Sequence, residues 1–132
     1  MKRDPTNLGE LEMALMEYLW DHESSDVKSS FRAIGEPRQI TLNTVQSAMK
    51  RLWEKGLLSR QKSGHAYVYS TKVDRRGLTE MMVSELLDQV TGSQMDVALQ
   101  AFVNLADQAG EETLNRLEEL VAAKRKADEE RS

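Results

Sequence analysis

The chain has 132 residues, 39% of them hydrophobic and 30% charged, with a formal net charge of −4, no cysteine and two histidines. This length is short for most large catalytic folds, the missing thiols exclude disulfides and thiolate chemistry, and His22 and His65 alone do not make a zinc-ligand set. No apolar run approaches the ~20 residues of a bilayer span, and MKRDPTNLGE has no apolar stretch behind its basic pair, so a cytoplasmic protein without cofactor or metal is expected.

In LGELEMALMEYLWDH, residues 8–22, Leu8, Leu11, Leu15, Tyr18 and Leu19 fall at helical spacing, and Asn7 with Glu10 has the spacing of a capping box. This predicts an amphipathic helix with His22 as a dipole-favoured surface group at its end. A second helix is expected in SDVKSSFRAIG, where Val27, Phe31 and Ile34 repeat at four and three. Gly35 and Pro37 supply its stop, and its serines a polar outer face.

Thr41 is a good N-cap for a third helix, with Val45, Ala48, Met49 and Leu52 as its buried stripe and Gly56 at the left-handed C-terminal position. The opposite face reads Asn43, Thr44, Gln46, Ser47, Lys50 and Arg51. Amides pair bidentately with adenine, Arg with guanine, and hydroxyls or Lys with phosphate, so this face is chemically equipped to read bases. After Gly56 the period becomes alternating: LLSRQK, a turn at Ser63-Gly64, then AYVYST, which is a β-hairpin. A hairpin directly behind a polar-faced third helix is the organisation of a winged helix-turn-helix, in which the helix enters the major groove and the hairpin covers the adjacent backbone. Arg60, Lys62 and His65 then approach phosphate, and Tyr67 completes the candidate set, packing across the hairpin with Tyr69. Trp20 and Trp53 read as core or junction aromatics.

Charge is polarised in the same sense. Residues 41–72 carry six basic side chains against Glu54 alone, while residues 1–40 have five basic and eight acidic groups and residues 73–132 have seven and thirteen. Local positive charge governs phosphate binding, so the acidic total does not oppose a nucleic-acid partner. An ordinary solvated helix face would instead interleave Glu with Lys.

Beyond Val73 the pattern is helical. Asp74 caps a helix carrying Leu78, Met81, Met82, Leu86 and Val90 that ends near Gly92; Val97, Ala98, Ala101, Phe102 and Leu105 mark a second, closed before Gly110. Leu114, Leu117, Leu120 and Val121 mark a last helix that fades into the charged tail KRKADEERS. Helices this short are expected to bury their apolar faces against a second copy of the chain, with Leu78, Met82, Leu86, Phe102, Leu105, Leu114, Leu117 and Val121 at a two-fold interface. The expected fold is thus mainly α with a small β-hairpin: a winged helix-turn-helix domain over residues 1–72 and a helical dimerisation domain over 73–132. No Gly-rich phosphate loop and no histidine set beside a nucleophile and an acid is present, so enzyme activity is not expected. The rival from another class is a helical protein-interaction adaptor that uses the winged surface without nucleic acid.

LGELEMALMEYLW at 8–20, TLNTVQSAMKRLWEKGLLSR at 41–60 and SGHAYVYS at 63–70 closely resemble the penicillinase repressor (BlaI/MecI) family of bacterial transcriptional repressors, from about Leu8 to Val121. The resemblance implies a winged-helix domain followed by a helical dimerisation domain, a homodimer on palindromic double-stranded operator DNA, and repression by promoter occlusion. It gives Thr44, Gln46 and Arg51 the look of base readers and the segment Lys62 to Tyr69 that of the wing. Family members serving β-lactam resistance are cleaved at an Asn-Phe bond, whereas VALQAFVNL puts Gln100-Ala101 or Ala101-Phe102 there; copper-responsive relatives carry a cysteine cluster that this chain lacks. DRRGLTE at 74–80 is also similar to the multiple-antibiotic-resistance regulators, but there the paired arginines lie inside the wing and here they follow it.

Overall fold

The computed structural model describes residues 8–90 and 93–131. Helix α1, Glu10–Asp21, buries Leu15, Met16 and Leu19 together with Glu12. Its N-cap is Gly9, which makes no side-chain cap bond, and Asn7, the expected cap, lies outside the described residues. His22 ends the helix on the surface, its ring stacked on Tyr18 at 4.2 Å.

The second element differs from its expected form. Ser25–Asp26 first makes a two-residue strand, β1, and α2 follows at Val27–Ser30, capped by the Asp26 carboxylate, which accepts the Ser29 N–H at 2.7 Å. The helical path then widens into a π turn at Phe31–Gly35 and tightens into a 3₁₀ turn at Glu36–Arg38, passing both residues expected to stop it. Pro37 sits in the first positions of that tight turn, where its missing N–H is not needed. The left-handed residue is Gln39, at φ 58°. Gly35 is there for space: a Cβ at that position would stand 2.8 Å from Val45 Cγ2 and 2.9 Å from Phe31 Cδ1. The serines are not all outward either. Ser30 is fully buried and Ser25 nearly so, their hydroxyls bonded to each other at 2.9 Å and Ser30 Oγ donating to the Asp26 carbonyl.

Helix α3, Leu42–Glu54, follows its sequence pattern closely. The Thr41 side chain accepts from the Thr44 N–H, and Val45, Ala48, Met49 and Leu52 are completely buried. Gly56, at φ 83°, closes the helix with bonds from its own N–H to the Trp53 carbonyl and from the Leu57 N–H to the Leu52 carbonyl, the paired pattern of a left-handed helix terminus. Strands β2, Leu58–Ser63, and β3, Ala66–Thr71, pair antiparallel from Leu58↔Thr71 to Ser63↔Ala66. The hairpin carries a third strand the sequence did not announce: β1 joins the other edge of β3 through Ser25↔Tyr69 and Asp26↔Val68, giving the order β1-β3-β2.

The Asp74 carboxylate accepts the Gly77 N–H at 2.6 Å and so starts α4, Arg75–Asp88. Two further helices are α5, Ser93–Gln108, and α6, Glu111–Arg131. The chain divides into two compact units, Met1–Glu85 and Leu86–Ser132, so most of α4 belongs with the winged domain and the division falls later than residue 72. Leu78, expected at a dimer interface, is instead 1% exposed in the core of the first unit, beside Leu15, Leu19 and Leu57 in the same buried cluster. Its helix is fastened there by the Trp20 indole N–H, which donates to the Val73 carbonyl at 2.9 Å, and by Arg75, which pairs with Glu17 and lies over the Trp20 ring. Trp20 thus packs partly buried against the core inside the first unit, not at the division between the units. In the second unit no described residue is fully buried. No described helix is long and apolar enough to cross a membrane.

Candidate nucleic-acid interface

At 100° per residue, the buried stripe of α3 leaves Asn43, Ser47 and Lys50 directly opposite the core, and all three are exposed. Two flanks border this outward row. On one, Leu42, Gln46 and Lys50 face the hairpin across a groove of about 670 Å³ whose other wall is Arg60, His65, Ala66, Tyr67 and Tyr69 and whose floor includes Asp26, Val27 and Lys28. On the other, Arg51 and Lys55 turn towards Glu12 of α1. The helix and the hairpin thus present one continuous surface containing Lys28, Lys50, Arg60 and His65.

The structure sorts the candidate residues into different situations. Thr41 and Thr44 bond hydroxyl to hydroxyl at 2.9 Å at the start of α3, where Thr41 also caps the helix; both are exposed. Gln46, Lys50, His65 and Tyr67 are brought together in the groove. Lys62 stands exposed on β2, opposite Tyr67 in the register. Arg51 leans away from the groove, its Nε 3.7 Å from Glu12 Oε1, while Lys55 Nζ approaches the other oxygen of the same buried carboxylate at 2.8 Å. Arg60 is also engaged, since its guanidinium carbon lies 3.5 Å from the Trp53 ring centroid and 4.0 Å from that of Tyr67. Trp53 is accordingly a surface aromatic under a cation, not a core one.

Three groove residues escaped the sequence reading: Asp26, Lys28 and Leu42. Lys28 precedes the basic segment by more than a dozen positions, and only the pairing of β1 with β3 brings it to the hairpin. The Asp26 carboxyl is held below the ordinary carboxylate range, first by the Ser29 backbone N–H and then by the Ser29 hydroxyl, with Arg32 and Lys28 assisting against partial desolvation. It is therefore ionised at neutral pH and sets a negative charge beside the basic side chains of the groove.

The penicillinase repressor family model matches residues 8–123. The chain belongs to that family. Among its relatives are the penicillinase repressor of Bacillus licheniformis, 23% identical over 92% of this chain and 93% of that protein, and the transcriptional regulator BlaI of Mycobacterium tuberculosis, 27% identical over 89% of this chain and 84% of that one. The solution structure of the DNA-binding domain of the repressor BlaI superposes with a TM-score of 0.50 at 27% identity, covering 57% of this chain and 90% of that domain. The protein is therefore a DNA-binding transcriptional repressor with a winged helix-turn-helix, which sets aside the adaptor alternative. In this repressor α2, the turn to Gln39 and α3 make up the helix-turn-helix, and β2–β3 form the wing.

Proposed function

We propose that this repressor acts in the cytoplasm as a homodimer on a palindromic operator, with one α3 in each of two successive major grooves and each wing over the neighbouring backbone, so that promoter access is occluded. The observation that carries it is the exposed row Asn43–Ser47–Lys50, free of the core and continuous through Gln46 with the groove that reaches His65 on the wing. Amides and hydroxyls near the start of α3 are suited to base edges; Lys50, Lys62 and His65 are suited to phosphate. Arg51 contributes from a guanidinium tethered to Glu12.

Self-association is supported by the second unit. Phe102, Leu105 and Val121 are exposed, as are Met82 and Leu86 around the division, and Val103, Leu114, Leu117 and Val121 line an apolar groove between α5 and α6. A matching copy of the same surface buries these groups with the symmetry that a palindrome requires.

The test is fluorescence anisotropy on the protein's own upstream intergenic DNA against a scrambled duplex of equal length, across a salt series. A preference of about a thousandfold or more supports the reading. Equal, weak and steeply salt-dependent binding to both duplexes contradicts it.

A further inference from the structure

We propose that Arg60 is a positioning residue for DNA binding: its guanidinium bridges Trp53 of the reading helix and Tyr67 of the wing and holds the two DNA-contacting elements in a fixed relation. The proposal rests on the operator-binding reading above, and it gives Arg60 a different part from the phosphate contact that its charge and place in the sequence suggest.

The hairpin explains why such a device is needed. Its base is anchored by Leu57, Leu58 and Tyr69, all buried in the core, but from Gln61 through Tyr67 every residue is exposed. The outer half of the wing therefore takes no restraint from the hydrophobic interior. Arg60 stands at the last position before that exposed half, paired with Tyr69 in the register and diagonal to Tyr67 on the same face of the hairpin. From there its guanidinium sits over the Tyr67 ring at 4.0 Å and over the Trp53 ring at 3.5 Å, with Nη1 donating to the Tyr69 hydroxyl at 3.4 Å. Trp53 lies in the last turn of α3, on the flank that faces the hairpin.

The chemistry favours a structural use of this cation. Trp53 and Tyr67 remain 37% and 39% exposed, outside the hydrophobic core, and the same guanidinium lies over both rings. A planar, delocalised cation stacks on two rings at once; an ammonium on a flexible stem does not reproduce this. The groove holds other basic side chains for phosphate in Lys28 and Lys50, and the cation–π contacts found among the described residues of the groove are those of Arg60. Arg60 is the one whose surroundings are arranged around its shape.

Arg60→Lys and Trp53→Leu, singly and together, decide between the two roles, because Lys keeps the charge and Trp53 is a surface residue whose loss leaves the core intact. Under positioning, each single change weakens binding to the preferred upstream duplex about tenfold, the order of two partly desolvated cation–π contacts, and the double variant is no worse than either single. In the DNA-free protein both changes raise the fast backbone mobility of Ser63, Gly64 and His65 measured by nitrogen-15 relaxation. Wild-type affinity in Arg60→Lys, or losses that multiply in the double variant, makes Arg60 a charge contact and overturns the proposal. The relaxation readout is independent of DNA. If the wild type shows no operator preference, the operator reading fails alone; wing mobility unchanged in both variants overturns the positioning role whatever the DNA result.

Discussion

On the operator-binding reading, individual side chains in this repressor take different parts, and mutation separates them. Arg51→Ala is expected to cost about 1–3 kcal/mol on the cognate duplex and to relax discrimination, whereas Lys62→Ala weakens cognate and random DNA alike and lowers the salt slope by about one. Titrations of both variants on both duplexes over a salt range distinguish the two; equal losses for Arg51→Ala on the two duplexes end its base-reading role. Glu12, the buried acid shared by Arg51 and Lys55, has a third kind of part. Glu12→Ala leaves Lys55 without that oxygen in a largely buried setting, and a loss of about 3 kcal/mol in denaturant unfolding is expected. Asp26 adds a pH term whose sign follows from its lowered pKa. The stabilisation is fully present above the unfolded carboxylate value of about 3.9 and is lost as pH falls through the still lower folded value. Asp26→Asn keeps a capping side chain but removes the titration, so the stability gap between wild type and variant should narrow as pH drops from 6 towards 3; a gap independent of pH contradicts the assignment.

At the scale of elements, the turn between α2 and α3 is set by contact between helices more than by chain-breaking residues. Gly35→Ala forces a methyl against Val45 and Phe31, and overpacking of about 1–3 kcal/mol is expected, read as a lowered denaturant midpoint with unchanged slope. This is also where the sequence misled. Glycine near proline reads as a stop, but the same glycine is equally demanded where neighbouring side chains close over the backbone, and only the partners, Val45 and Phe31, tell the cases apart. Helix α3 was legible because its cap, stripe and closing glycine are all local signals. Strand β1 was not, since Ser25–Asp26 is too short to show alternation and owes its form to Tyr69 and Val68. The groove was half legible for the same reason: the α3 and wing residues announce themselves by charge and period, while Lys28 and the Trp53–Arg60–Tyr67 contact depend on where distant segments meet.

For the whole molecule, the two units differ in kind. The first encloses a core that runs from Leu15 on α1 to Leu78 on α4, so the winged domain takes the start of α4 into its own packing. The second holds α5 and α6 with apolar groups such as Val97 and Leu105 facing outwards. Leu117→Glu is expected to shift sedimentation from dimer to monomer at micromolar concentration and to reduce helicity, while the Trp20 environment in the first unit stays native by fluorescence. Dimeric sedimentation in that variant would place the contact elsewhere.

Under the proposed pairing, the second unit, in which no described residue is fully buried, gains an interior by meeting its copy, so folding of that half and association become a single reaction. The amount of protein in the cell then acts as an input. When supply falls, paired reading heads disappear faster than chains do, because pairing goes as the square of concentration, and the solitary chains left behind expose unprotected helices to proteolysis. On that reading, silencing exerted through such a molecule has a threshold in protein concentration, and dilution by growth brings it closer.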